Sequence, residues 1–99
     1  MGTFAIDDYV VDTLMRDLVG HDRQPSAFLV YLYLWHSTNG ASAVVSLREL
    51  AAGTGLSKRS VQDALSRLHR RRLIGIERSS ITAVPEYTVQ RPWLKRSRD

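Results

Sequence analysis

The sequence predicts one small, mainly α-helical domain that closes on a β-hairpin, and three observations carry that prediction. Apolar residues recur at helical spacing over four stretches, most of them bounded by a capping or stop signal. Two short runs with alternating apolar positions follow the last of them. The 99 residues suffice for a single core and leave no length for a separate catalytic or sensor domain.

Taken in order, Thr3 to Ile6 sets Phe4 and Ile6 at alternate positions, the pattern of a short extended arm. Asp7 and Asp8 supply N-cap and first-turn acids for a helix over about 8–19, with Val10, Val11, Leu14, Met15 and Leu18 as its apolar side and a stop near Gly20. His21 to Gln24 reads as a loop. Pro25 suits the first turn of a second helix over about 25–38, which Asn39-Gly40 ends. Its run Phe28 to Trp35 would in isolation suit a buried strand as well, because aromatic and branched residues favour both; the bounding signals and the helical neighbours favour helix. Such a helix is apolar all the way round, and a small domain is expected to cover only part of it. Tyr31, Tyr33 or Leu34 is therefore expected at a homodimer interface. Ala43 to Val45 reads as an edge strand.

Ser46-Leu-Arg-Glu49 is a capping box that opens a helix over about 47–53, with Leu47, Leu50 and Ala51 on one apolar face. Gly53-Thr54-Gly55 breaks it, and Gly55 can take the positive φ of a tight turn. Leu56 plugs the turn and Ser57 caps a helix over about 58–71. There Val61, Leu65 and Leu68 form the core stripe, and Ala64 permits close approach. Two helices joined by a tight glycine turn are a helix-turn-helix, whose second helix enters the major groove of DNA by its first turn. Its outer face carries Arg59, Gln62, Asp63, Ser66, Arg67 and Arg70. Arginine can bond guanine, and glutamine adenine, in bidentate fashion, which makes Arg59 and Gln62 base-reading candidates. Lys58, Ser60 and Arg67 suit phosphates, and Asp63 can orient the two arginines or accept from a cytosine amine. The alternative is that Arg59, Asp63 and Arg67 merely pair along a solvated helix; exposed pairs are worth only about 0.3–0.5 kcal/mol each, too little to explain the choice of residues. Arg70-Arg71-Arg72 meets the negative end of the helix dipole, which accounts for one arginine better than for three.

Leu73 to Arg78 and Glu86 to Gln90 read as paired strands around the loop Ser79 to Pro85. The domain is thus expected over 1–92, with a basic tail over 93–99. Trp35 and Trp93 are expected as packing anchors and His69 at the surface. Charge is divided unevenly: residues 1–45 hold two basic side chains against five acidic ones, and residues 46–99 hold twelve against five. Positive charge therefore gathers where the motif lies, as a polyanion-binding face requires, though a solvated basic surface would show it too. The chain has no cysteine, and its three histidines show no ligand spacing, so neither metal nor cofactor is expected. No nucleophile–base pair or phosphate-binding glycine loop can be found, so no catalytic residue and no enzyme is expected. The longest apolar run has eight residues, against the roughly 20 that cross a bilayer, and Met1 to Asp8 lacks the basic start and apolar stretch expected of a signal peptide. A cytoplasmic protein, with no membrane or small-molecule partner, is expected.

The pattern Leu-Arg-Glu-Leu-Ala-x3-Gly-Leu-Ser-Lys-Arg-Ser-Val-Gln-x-Ala-Leu-x-Arg-Leu, followed by Leu73-Ile74, resembles the winged helix-turn-helix proteins of bacteria and their phages. It is especially similar to small regulators and replication-initiator domains, and Pro25-Ser-Ala-x3-Val-Tyr-Leu-Tyr-Leu resembles their second helix. The resemblance implies a three-helix core, a short strand before the motif and a two-stranded wing, over about 73–90, that flanks the DNA. Carried onto this chain, its recognition positions are Ser57, Lys58, Arg59, Ser60, Gln62 and Arg67. The stretch Ser79 to Glu86 departs from the pattern, since it holds no lysine or arginine; Arg78 at the wing base and Arg91 are the cations left there. The expected function is sequence-specific binding of double-stranded DNA by a transcriptional regulator acting as a homodimer, with recognition helices about 34 Å apart. The alternatives are a protein-interaction module, favoured by the apolar second helix and acidic first helix, and the DNA-binding domain of a plasmid or phage replication initiator.

Overall fold

The computed structural model describes residues 2–94. The last residues of the expected basic tail, 95–99, lie outside the described residues, but Trp93 and Leu94 do not belong to a tail. They form a 3-10 turn, Pro92–Leu94, and the Trp93 ring stacks on Tyr9 with centroids 4.5 Å apart.

The first helix differs from expectation in its winding. Val10–Leu14 and Asp17–His21 are π-helical, with the Met15 N–H bonded to Val10 O and the Asp22 N–H to Asp17 O. Val10, Leu14 and Leu18 are spaced by four and all buried. A strict period of four drifts around an α-helix of 3.6 residues per turn, whereas interleaved wide turns keep the three on one line. Val11 and Met15, expected on the apolar side, are instead exposed, as is Val19. Nor does Gly20 stop the helix, which runs on to His21; the chain turns away at Arg23, in the left-handed region at φ 57°. Asp7 does not cap it, because its carboxylate is drawn to the far end of the chain. Arg91 Nη2 donates to Asp7 Oδ1 at 2.8 Å and Trp93 Nε1 donates to Oδ2 at 2.9 Å.

Helix α1, Pro25–Thr38, begins and ends where its proline and Asn39-Gly40 signals place it, with Asn39 left-handed at φ 58°. It runs through the middle of the core. Phe28, Val30, Tyr31, Leu34 and Trp35 are buried between the Asp17–His21 turn, helices α2 (Leu47–Thr54) and α3 (Lys58–Arg70), and the sheet. This corrects the homodimer expectation at two residues: Tyr31 and Leu34 are fully buried within one copy. The arm before the first helix and the sheet supply the cover that a second copy was expected to provide. Trp35 Nε1 donates to Ala5 O at 2.8 Å, and the Tyr31 hydroxyl donates to Gln90 O at 2.9 Å. Residues 3–6 pack as that arm without pairing into a strand. Tyr33 is half-buried and lies against α2.

Strands β1 (Ser42–Val44), β2 (Ile74–Glu77) and β3 (Glu86–Val89) form one antiparallel sheet in the order β1-β3-β2, with Ala43 and Ile76 both opposite Tyr87. Tyr87 and Val89 point into the core, and Thr88 and Glu86 face out. The strand expected at 43–45 is shifted by one residue, since the Val45 N–H already bonds Pro85 O outside the ladder and its side chain is buried.

One long-range contact holds the end of α3 to the first helix. Arg71, just past α3, donates from Nη1 to Asp22 and from Nη2 to Asp17, both at 2.5 Å. The Asp22 side chain is almost wholly buried, and His21 Nδ1 lies 3.0 Å from its other oxygen. The hydrogen bond from His21, outweighing burial together with the bonds and charge of Arg71, holds the Asp22 carboxyl below its ordinary value. Asp7 is lowered too, since the bonds from Trp93 and Arg91 and the charge of Arg91 outweigh the opposing effect of burial.

A carboxyl whose pKa is lower folded than unfolded stabilises the fold above its unfolded value, and that contribution is lost as pH falls through the folded value. Stability is therefore expected to decline below about pH 4, and Asp22→Asn to flatten that decline in urea melts. At neutral pH, Arg71→Met leaves the Asp22 carboxylate with the His21 bond alone and is expected to lower stability by about 1–3 kcal/mol in the same melts.

Candidate nucleic-acid interface

The cap of α2 forms as its sequence requires: the Glu49 N–H donates to Ser46 Oγ at 3.0 Å, and the Ser46 N–H donates to Glu49 Oε1 at 2.8 Å. Helix α2 is one residue longer than expected, and Gly53 lies inside it rather than breaking it. The reason for glycine there is close approach to α1, since a Cβ at Gly53 would lie 2.3 Å from the Tyr33 ring. The turn itself rests on Gly55, left-handed at φ 80°, whose N–H bonds Ala51 O at 2.9 Å. Thr54 secures it further: its hydroxyl donates to Leu50 O at 2.6 Å and accepts from the Leu56 N–H at 3.3 Å.

Ser57 caps α3 by accepting from the Ser60 N–H at 3.1 Å, and its hydroxyl also lies 3.1 Å from the Ser60 hydroxyl. The DNA-facing expectation for these two serines thus meets a structural role already filled. Val61, Ala64, Leu65 and Leu68 are buried, so the helix turns its other side outward. Lys58, Arg59, Gln62, Asp63, Ser66 and Arg70 are exposed on it, and Ser60 and Arg67 are half-buried. Arg59 and Asp63 approach to 3.9 Å with both side chains mostly in solvent, a weak pair that leaves the guanidinium free to move.

The structure separates cations that the sequence runs together. Helix α3 ends at Arg70, one residue short of expectation. Arg71 turns inward to Asp17 and Asp22, and Arg72 is exposed at φ 61°. Arg91, a wing candidate by sequence, is bound to Asp7 and stands over the Trp35 ring at 5.2 Å, so it does not serve the wing. Arg78 is exposed and bends back toward Ile81 O at 3.5 Å. The wing loop presents Ile81, 90% exposed, and Val84 in place of cations.

Residues that sequence reasoning missed stand at the start of α1. Gln24 and Ser26 share a polar groove of about 290 Å³ with Ser60, Ser66, Arg67 and Arg70 of α3. Nothing in their local spacing signals this; it follows from α1 crossing α3. Among the described residues Asp17, His21 and Asp22 gather at metal-ligand distance, but Arg71 already holds both carboxylates.

A family model described as a helix-turn-helix domain matches residues 24–74, more than half of the chain. No curated protein and no solved structure matches it significantly. The matched stretch takes in α1, β1, α2, the Gly55 turn, α3 and the first residue of β2, and a three-stranded sheet completes a winged arrangement. With its motif caps formed, its turn at the glycine and the outer face of α3 open, the chain belongs to the helix-turn-helix domain family and carries that family's DNA-binding domain.

Proposed function

We propose that the protein is a transcriptional regulator that recognises a specific sequence in double-stranded DNA through α3, and that it works in the cytoplasm by binding rather than catalysis. The observation that carries the reading is the uncommitted first turn and outer face of α3. Lys58, Arg59 and Gln62 project from it while Arg71 and Arg91 are spent on internal pairs. Arg59 and Gln62 read bases; Lys58, Ser66, Arg67 and Arg70 bind phosphates; and Arg78 reaches the backbone from the wing base. Asp63, only weakly paired with Arg59, is free to accept from a cytosine amine. Among the described residues no helix is long and apolar enough to cross a membrane.

The homodimer reading rests on a different surface from the one expected. With Tyr31 and Leu34 buried, the apolar side chains left in solvent include Val11, Met15 and Val19, spaced by four along the first helix. A second copy packed there would pair two recognition helices on a palindromic site.

Two measurements test these readings. In selection from a random duplex pool, Arg59→Ala is expected to relax the preference at one position by about 1–3 kcal/mol, and Lys58→Ala to weaken all sequences alike and reduce the salt slope of binding by about one. No enriched sequence in the wild-type pool would reject specific recognition. In light scattering the wild type is expected at twice the chain mass and Met15→Glu at once the chain mass; a monomeric wild type bound to its site would reject the dimer.

A further inference from the structure

We propose that the groove between the first turn of α1 and the outer face of α3 seats one phosphate of the DNA backbone, and that this contact sets how deep α3 lies in the major groove. The proposal rests on the DNA-binding reading and adds to it a contact from outside the two motif helices. Arg67 is the main observation. Its Nε is shut off from solvent and is, among the described residues, the one buried side-chain nitrogen or oxygen without a hydrogen-bond partner. A buried donor on a cation is costly to leave unsatisfied, so a turn of the Arg67 side chain that brings Nε to an anion in the groove it lines is favoured. Asp22, whose carboxyl feels the charge of Arg67, is already committed to His21 and Arg71.

The other walls of the groove suit the same ligand. Arg70 adds a second guanidinium, and Ser66 a hydroxyl. From α1 comes the positive end of a 14-residue helix with no acid in its first turn and no side-chain cap on its amides. The Ala27 and Phe28 N–H groups bond Gln24 O, whereas the Ser26 N–H has no acceptor among the described residues. Asp63 is the one acid on the groove, and Arg59 stands 3.9 Å from it on the outer side. A backbone phosphate that meets both α1 and α3 fixes α3 against the duplex, which a contact from α3 alone does not.

Ser26→Asp separates this role from a structural one. An acid in the first turn of α1 favours the helix dipole, so the melting temperature is expected to hold or rise, while affinity for a mixed-sequence duplex falls about tenfold. Arg67→Met is expected to weaken binding similarly and to lower the salt slope by about one. The double variant should lose less than the product of the two losses, because both act on one phosphate. Unchanged affinity in a stable Ser26→Asp, or fully multiplicative losses, would overturn the anchor and leave DNA binding intact. A wild type that binds no duplex would overturn both. Inorganic phosphate serves as the competing probe: if it shifts the Ser26 amide resonance while Ser26→Asp leaves duplex affinity unchanged, the groove takes a free anion and the proposal falls.

Discussion

An apolar helix must be covered over most of its circumference, and in this chain a single copy covers all of α1 but the side that carries Leu29, Leu32 and Tyr33. Helix α1 buries Tyr31, Val30 and Leu34 completely, and each neighbouring element takes one sector of its circumference. The Asp17–His21 turn, β1, β3, α2 and α3 all pack on α1, and α2 packs on α3 as well. Each large apolar side chain buried there stabilises the fold by roughly 1.5–3 kcal/mol, well above what any exposed ion pair on α3 contributes. The helix-turn-helix is thus presented by a body whose rigidity comes from elsewhere. Its recognition face can be built of charged, solvated side chains because the opposite stripe, Val61, Ala64, Leu65 and Leu68, is held against α1.

The division of charge along the sequence acquires a different meaning in that frame. Much of the acidity of the first half is turned on basic residues of the second half: Asp17 and Asp22 on Arg71, and Asp7 on Arg91. Two of the C-terminal cations are thereby withdrawn from any polyanion-binding role. Among the described residues, most of what is left lies on α3 and its flanks, and the wing loop is apolar where it could have been basic. The electrostatic footprint of the described residues is consequently centred on the helix whose first turn enters the groove.

The features legible in the sequence are those encoded within a few residues. Ser46 with Glu49, Ser57, Pro25 and Asn39-Gly40 mark ends that the structure reproduces to within a residue, because a cap or a left-handed residue is a local chemical requirement. The face of α3 was legible for the same reason: its period is strict and its two sides differ in polarity. What escaped reading depends on distant partners. Arg71 looks like one of three equivalent arginines until Asp17 and Asp22, some fifty residues earlier, are brought beside it. Gly53 looks like a helix breaker until the Tyr33 ring needs its missing side chain. Tyr31 and Leu34 look exposed until the arm and sheet fold over them. The wide turns of the first helix fall between these cases, since the spacing by four of Val10, Leu14 and Leu18 is local, whereas Val11 and Met15 widen the apolar face until the core covers only one line of it.

The two ends of α3 are held by different means, and this bears on how recognition could be precise. Its start is fixed by a serine cap and the glycine turn, which set the direction of the first turn relative to α2. Its end is fixed by Arg71, through two carboxylates of the first helix, so a helix outside the motif determines where the C-terminal half of α3 lies. Binding energy spent on ordering a mobile helix is lost to affinity, and a helix pinned at both ends by internal contacts meets DNA already ordered. Stability and recognition therefore divide on one element by residue rather than by region: Arg70 and Arg71 are adjacent, yet the first belongs to the groove face and the second to the core frame. Substitutions along the arginine run can accordingly weaken DNA binding by two routes, and only a melting measurement beside a binding measurement tells which side chain acted through the fold.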